Sequence, residues 1–197
     1  MRELTGRRGC FLFAAVLASL MVLGCDDDAQ NDAAEGCTDP PGPMILPHLS
    51  PVSLGVMYPL GNKTPDATLR DRTPYEWVLL LQAPCENQLN ISKVCLIGDD
   101  AKGGDDVAQF SIEGPTPMSP NAATPGALRI TYDRQTPNSG DDMDNVALVI
   151  ESNAKNFPTL VVPICARVVA DGSPRPDLPC LESPVSVAAG TKVSLCP

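Results

Sequence analysis

Short apolar runs, separated by turn-forming residues, recur along residues 51–170. The clearest is ALRITYD, in which Leu128, Ile130 and Tyr132 alternate with polar residues. Alternation with a period of two is typical of a β-strand that has one buried and one wet face. Several such runs at regular spacing predict an all-β sandwich.

Other runs indicate where individual strands lie within the sheets. VALVIES and EWVLLLQ are almost continuously apolar, which predicts central strands with both faces partly covered, and Trp77 is expected to anchor the core. Pro163 interrupts TLVVPICARVV and has no N–H to donate, so that strand is expected to be an edge strand or to be bulged there. Its alternate residues are expected to share one face: Leu160, Val162, Ile164, Ala166 and Val168.

The first 24 residues have the pattern of a signal peptide. Three arginines and one glutamate precede an apolar run from Cys10 to Leu23. Such a run would rise about 21 Å as a helix, which is short of the roughly 30 Å hydrocarbon core of a bilayer. A membrane-spanning helix is therefore not expected here.

The segment VLGC, which ends at Cys25, resembles the lipobox of bacterial lipoproteins. That resemblance implies cleavage before Cys25, a diacylglyceryl thioether on its sulfur and a fatty acyl chain, such as palmitate, on its new amino group. Several acyl chains anchor a protein durably. The protein is then expected in a bacterial cell envelope, on the inner or outer membrane. The alternative is a soluble secreted protein in which Cys25 forms a disulfide.

The order of the later runs resembles a family of domains. VSLG, EWVLLLQ, LNISKVCLIG, FSIEGP, ALRITYDRQTP and VALVIESNAKNFPTLVVPI are similar to the Hydin-type and abnormal-spindle-type immunoglobulin-like repeats, which are related to the major sperm protein domain. The resemblance implies an immunoglobulin-like antiparallel β-sandwich of about seven strands over residues 51–170. Such domains are structural or binding modules without catalytic residues. Two features depart from the family pattern. One is the long segment GNKTPDATLRDRTP between the first two strands, and the other is the presence of Cys85, Cys95 and Cys165.

Two segments flank this predicted domain. Residues 25–50 are rich in Asp, Ala, Gly and Pro, which predicts a disordered, flexible linker between the membrane and the domain. A disulfide at Cys37 is expected to attach this linker to the domain. Residues 171–197 are expected to form a disulfide-closed extension with a short β-hairpin.

Six cysteines follow Cys25, and an even number in an exported chain predicts three disulfides. They are Cys37, Cys85, Cys95, Cys165, Cys180 and Cys196. Six cysteines allow fifteen connectivities; the pairing expected here is Cys85 with Cys95, Cys180 with Cys196, and Cys37 with Cys165. No CxxC pair occurs and His48 is the single histidine, which argues against zinc.

The charge balance limits the possible partners. The chain has 14 Lys and Arg against 24 Asp and Glu, a net charge of −10. Such a surface repels phosphate backbones, and few aromatic side chains are present to stack on bases. Nucleic acid is therefore not expected as a partner. The expected partners are an unknown envelope protein and, through the lipid anchor, the membrane.

One stretch suggests catalysis. Ser152 and Lys155 in SNAK match the SxxK pattern of a serine nucleophile activated by a lysine. That chemistry needs a helix that places both side chains on one face, whereas Asn153, Asn156 and Pro158 favour a turn. We expect an exposed turn between two strands, and no catalytic site or cofactor.

Acidic runs raise the possibility of calcium, which prefers oxygen ligands. One run holds Asp99, Asp100, Asp105 and Asp106, and a second holds Asp141, Asp142, Asp144 and Asn145. Neither has the spacing of an EF-hand. The sequence thus favours a non-catalytic, lipid-anchored module for protein–protein interaction or structural support. The alternatives are a calcium-assisted module that binds a small ligand or polysaccharide, and an enzyme of unrecognised type.

Overall fold

The computed structural model describes residues 43–45, 51–83, 88–98, 106–121, 123–180 and 183–197. Seven strands form two sheets, which confirms the predicted all-β sandwich. The strands are β1 (Val52–Met57), β2 (Tyr75–Leu81), β3 (Ile91–Gly98), β4 (Phe110–Glu113), β5 (Gly126–Tyr132), β6 (Asp144–Ser152) and β7 (Thr159–Val168). Among the described residues of the connections, Leu69–Asp71 and Asp106–Gln109 form short 3-10 helices. Within the described ranges, no helix is long and apolar enough to cross a bilayer.

One sheet has the strand order β1-β7-β6-β3 and the other has β2-β5-β4. The pairing is antiparallel except between β1 and β7, which are parallel. The expectation of a wholly antiparallel sandwich is therefore wrong at this pair. A parallel pair needs a long connection, and these two strands are joined through all the others.

The core lies between the two sheets. Leu128, Ile130 and Tyr132 are fully buried, which confirms the alternation predicted for β5. The five residues of β7 that were expected to share a face are also buried. β6 is buried at every residue and lies between β7 and β3, as expected for a central strand.

Two strand positions differ from the sequence-based expectation. β2 is at an edge of its sheet, with only β5 as a paired neighbour among the described strands, and its residues alternate between buried and exposed. Trp77 is partly buried and packs against the core. β7 lies inside its sheet, but β1 begins to pair with it only at Ile164, so Pro163 is flanked by β6 alone. The missing N–H of Pro163 therefore costs no bond to β1.

A buried polar network joins the two sheets where β5 leads into β6. The Tyr132 hydroxyl donates to Asp144 Oδ2 (2.5 Å), and Arg134 Nη1 forms an ion pair with Asp144 Oδ1 (2.6 Å). Asn138 Nδ2 also donates to this carboxylate (3.3 Å). Burial raises the pKa of Asp144, whereas the Tyr132 hydrogen bond and the Arg134 charge oppose that rise. Burial and the adjacent carboxylate both raise the pKa of Tyr132.

The chain upstream of β1 contacts the turn between β6 and β7. Ile45 is fully buried, its N–H donates to Asn156 Oδ1 (3.1 Å), and its carbonyl accepts a bond from Asn156 Nδ2 (2.7 Å). The Lys155 N–H donates to the carbonyl of Pro43 (2.7 Å). These three residues, from Pro43 to Ile45, belong to the domain although the linker was predicted to extend to residue 50. The signal peptide and Cys25 lie outside the described residues.

Candidate functional site: the two outer faces of the sandwich

A segment without regular secondary structure, residues 174–180 and 183–197, runs across the outer face of the four-stranded sheet; we call it the strap. Near β1, the Ser53 hydroxyl donates to the Leu178 carbonyl (2.8 Å). On β7, Thr159 Oγ1 donates to the Val193 carbonyl (2.8 Å) and accepts from the Val193 N–H (3.0 Å). The expected β-hairpin is wrong, because the described part of the strap bonds to the sheet and contains no strand.

Two disulfides fasten the strap to the sheet. Cys180 bonds to Cys165 on β7, and Cys196 bonds to Cys95 on β3. The expected bonds Cys85–Cys95, Cys180–Cys196 and Cys37–Cys165 are therefore wrong. Cys95 and Cys165 lie at outward positions of their strands, where they face the strap and not each other. Cys37 and Cys85 lie outside the described residues.

A carboxylate holds the end of the strap. Glu151 Oε1, on the outer face of β6, accepts bonds from the N–H groups of Leu195 (2.7 Å) and Cys196 (2.9 Å). The bond from the Cys196 N–H has the largest effect on the pKa of Glu151 and lowers it. The bond from the Leu195 N–H and the nearby Lys93 charge lower this pKa further. Lys93 Nζ donates to the carbonyls of Cys196 (3.1 Å) and Pro197 (3.0 Å).

Covering by the strap explains why β6 is buried on both sides. The outward-facing apolar residues of β6, Ala147 and Val149, have no exposed surface. The strap therefore covers the middle of the outer face of this sheet, at β6.

The outer face of the three-stranded sheet is open. Val78 and Leu80, on β2, are 50% and 60% exposed. They stand directly opposite Arg129 and Ala127 of β5. We call these four residues the open face. A depression of about 350 Å³ lies beside them, lined by Val78, Glu113, Gly114, Ala127 and Arg129.

The sequence interpretation missed the open face because EWVLLLQ was taken as a central strand. The sequence did indicate an exposed face, because polar Glu76 and Gln82 share the outward positions of this run with Val78 and Leu80. Glu76 forms an ion pair with Arg129 (3.5 Å) in which both side chains are about half exposed. Screening by water makes such a pair weak, so it leaves both charges accessible to a partner.

The SxxK residues do not lie on a helix. Ser152 is the last residue of β6, and its Oγ accepts a bond from the Ala154 N–H (3.2 Å). Lys155 is exposed in the turn that follows, where no helix forms. The predicted turn is thus confirmed. The expectation that Ser152 is exposed is wrong, because only 4% of its surface is accessible.

The calcium candidates Asp141, Asp142 and Asp144 lie in different surroundings. Asp144 is buried in the Tyr132 network, whereas Asp141 and Asp142 are exposed, and Asp141 lies 3.7 Å from Arg167. In the earlier acidic run, Asp106 Oδ2 accepts a bond from the Asn145 N–H (3.0 Å). No cluster of three metal-ligating side chains occurs in the described part of the chain. Asp99, Asp100 and Asp105, like His48, lie outside that part.

A cleft of about 560 Å³ lies between β1 and the strap. Two of the four charged residues that line it form an ion pair: Arg175 pairs with Asp71 and lies over the Tyr58 ring at 5.4 Å. Asp71 also accepts bonds from the Thr68 N–H and hydroxyl (both 2.8 Å), and these bonds, with the Arg175 contact, lower its pKa to about 2. These contacts join the 3-10 helix to the strap, so a structural role accounts for the charges of Asp71 and Arg175.

Known proteins do not supply a function for either face. No protein-family model matches the chain, and no characterised protein is significantly similar to it. The resemblance to Hydin-type repeats therefore stays a prediction.

Proposed function

We propose that this protein is a non-catalytic, lipid-anchored module of a bacterial cell envelope that binds a protein partner through the open face. The observation that supports the proposal is the contrast between the two sheets. One outer face is covered by a strap with two disulfides. The other outer face leaves two neighbouring aliphatic side chains, Val78 and Leu80, exposed to solvent.

The make-up of the open face suits a protein partner. Binding surfaces combine exposed apolar side chains with a polar rim. Here Val78, Leu80 and Ala127 supply the apolar part, and Arg129 and Glu113 supply polar groups at its border. The depression beside them can receive a side chain of the partner. We expect the partner to be another protein of the cell envelope, because the proposed lipid anchor places this chain there.

Leu80→Asp is expected to reduce recovery of the partner, after chemical crosslinking in intact cells, by at least about tenfold. A truncated central contact often costs more than about 2 kcal/mol of binding energy, and an aspartate adds a carboxylate to an apolar contact. Folding should be unaffected because surface substitutions shift stability by less than about 0.5 kcal/mol.

Leu60→Asp is the matched control, because Leu60 is also exposed (65% against 60% for Leu80) but lies in the turn after β1. This variant should recover as much partner as the wild-type protein. Equal losses in both variants, or no loss in either, would contradict binding at the open face.

Cys25→Ser is expected to move the mature protein from the membrane to the soluble fraction. The serine hydroxyl cannot form the thioether that carries the diacylglyceryl group, and a chain without acyl groups loses about 0.8 kcal/mol of membrane affinity for each methylene. Fractionation followed by mass measurement of the N-terminal peptide checks the result. Wild-type protein that is already soluble and carries no lipid would refute the anchor.

A further inference from the structure

β2 has a free edge, because β5 is its only paired neighbour among the described strands. The ladder between β4 and β5 shows which backbone groups lie at that edge. This ladder continues past the two strands, where the Asp133 N–H donates to the Gln109 carbonyl (2.8 Å). Hydrogen-bonded pairs recur at every second residue of an antiparallel ladder. The odd-numbered residues of β5 therefore bond to β4, and the even-numbered residues bond to β2.

The same alternation carries over to β2, which pairs with β5 without a bulge. Leu79 lies opposite Leu128, so the N–H and C=O groups of the odd-numbered residues of β2 point at β5. Those of the even-numbered residues point to the free edge. The residues with these outward backbone groups also have exposed side chains: Glu76, Val78 and Leu80. The free edge is thus continuous with the open face.

Other edges of the two sheets are shorter or partly covered. β4 has four residues. Next to β1, the Tyr58 N–H donates to the Asp71 carbonyl (2.8 Å), and at the start of β3, Ile91 exchanges both backbone bonds with Met118. Folded proteins commonly protect an edge with charges, proline or a covering segment, because an exposed edge can pair with another strand. β2, in contrast, has seven residues, no proline and one charged side chain.

We propose that the protein partner of the open face adds an extended segment to the free edge of β2, as a further strand of this sheet. The inference rests on the proposed function and states how that partner binds. The outward N–H and C=O groups of β2 match those of an extended chain, whereas the backbone groups of a helix are already bonded to one another. Alternate side chains of the segment then lie beside Val78 and Leu80 on the open face.

The surroundings of the edge indicate the side chains of this segment. Where β2 begins, a depression of about 450 Å³ lies between its first residues and the 3-10 helix Leu69–Asp71, and Leu69 is 86% exposed there. Arg70 and Glu76 carry opposite charges at this depression, so a segment with a net charge gains no advantage. The segment that fits is uncharged, with apolar residues at alternate positions.

Amide hydrogen exchange of the soluble Cys25→Ser protein tests whether the edge is free. The N–H groups of Val78 and Leu80 should exchange at least about tenfold faster than those of Leu79 and Leu81, which bond to β5. Equal protection of all four groups would show that this edge is already covered, and would overturn the proposal.

Val78→Pro tests how the partner binds. Proline removes the N–H of residue 78, which makes no bond to β5, and an edge strand tolerates proline at such a position. Because the proline ring also blocks the approach of a further strand, recovery of the partner after crosslinking in intact cells should fall at least about tenfold.

Leu60→Pro is the matched control. Leu60 is exposed and lies in a turn that is closed by a bond from the Asn62 N–H to the Pro59 carbonyl (3.1 Å). Gly61 follows it with a φ of +87°, as in a type II turn, which favours proline at the position of Leu60. This variant should recover the partner to within about twofold of the wild-type amount.

The outcomes separate this inference from the proposed function. A loss in Leu80→Asp without a loss in Val78→Pro, or equal losses in Val78→Pro and Leu60→Pro, would overturn strand addition and leave binding at the open face standing. No loss in Leu80→Asp or in Val78→Pro would overturn both. Should Val78→Pro fail to fold, photocrosslinks from positions 78 and 80 decide: they should reach partner residues that are two apart in one segment. Partner residues three or four apart, or in separate segments, would overturn strand addition.

Discussion

Replacing both Cys95 and Cys196 with serine is expected to lower the free energy of unfolding by about 4 to 5 kcal/mol. The bond joins residues 101 positions apart, so it restricts almost the whole domain in the unfolded state. In the loop-entropy description, a closed loop of about 100 residues contributes about 4.7 kcal/mol. Domains of this kind have total stabilities of about 5 to 15 kcal/mol, so the variant should be close to unfolding.

The second disulfide provides the control for this prediction. Cys165 and Cys180 are 15 positions apart, and a loop of that size contributes about 3 kcal/mol. Chemical denaturation of the soluble Cys25→Ser form, with each pair replaced by serines, gives the two losses. A loss below about 1 kcal/mol for the Cys95 and Cys196 variant, or one smaller than for the Cys165 and Cys180 variant, would contradict the role given to the strap.

Arg134→Met is expected to cost about 3 to 5 kcal/mol of stability. The substitution keeps the apolar stem but leaves Asp144, which has no exposed surface, without its ion-pair partner. Removing one member of a buried pair is costly because the remaining charge stays buried. Tyr132 and Asn138 would still donate to the carboxylate, but neither carries a positive charge.

Arg129→Met is the matched control, because its pair with Glu76 is about half exposed; it should cost less than about 1 kcal/mol. The loss in Arg134→Met should also depend on pH. Without Arg134 the pKa of Asp144 in the folded protein rises further, whereas its pKa in the unfolded chain is the same in both proteins. The loss is therefore complete above the folded pKa of the variant and shrinks as pH falls to the folded pKa of the wild-type protein. Equal losses in the two variants at neutral pH would contradict the buried network.

The sequence was sufficient for the parts of the fold that depend on local pattern. Strict alternation in β5 identified its buried face, and the continuous apolar run of β6 identified a strand covered on both sides. The turn that contains Lys155 followed from the preference of Asn and Pro for turns. In each case the local sequence pattern agrees with the environment of the residues in the assembled fold.

The errors concern contacts between distant parts of the chain. The apolar run of β2 does not reveal that β2 is at an edge, because that depends on which strands pair with it. The disulfides join β3 and β7 to a strap that has no periodic pattern of its own. The expected pairing placed Cys95 and Cys196 in two separate short loops, whereas these two cysteines meet only after the two sheets and the strap are assembled.

The candidate site was only partly predictable for the same reason. Exposed Val78 and Leu80 have the composition of core residues, and only polar Glu76 and Gln82 at the same outward positions mark their face as open. The acidic runs suggested calcium from composition. Their side chains separate in the fold, since Asp144 turns inward to Arg134 and Asp141 turns outward near Arg167.

Site-specific photocrosslinking in intact cells tests partner binding at the open face most directly. A photoreactive amino acid is placed at position 80, on the open face, or at position 60 in the turn after β1, and the crosslinked products are identified by mass spectrometry. Our account predicts one protein partner, other than this chain, that crosslinks from position 80 and not from position 60. No crosslink from position 80, or the same products from both positions, would contradict it.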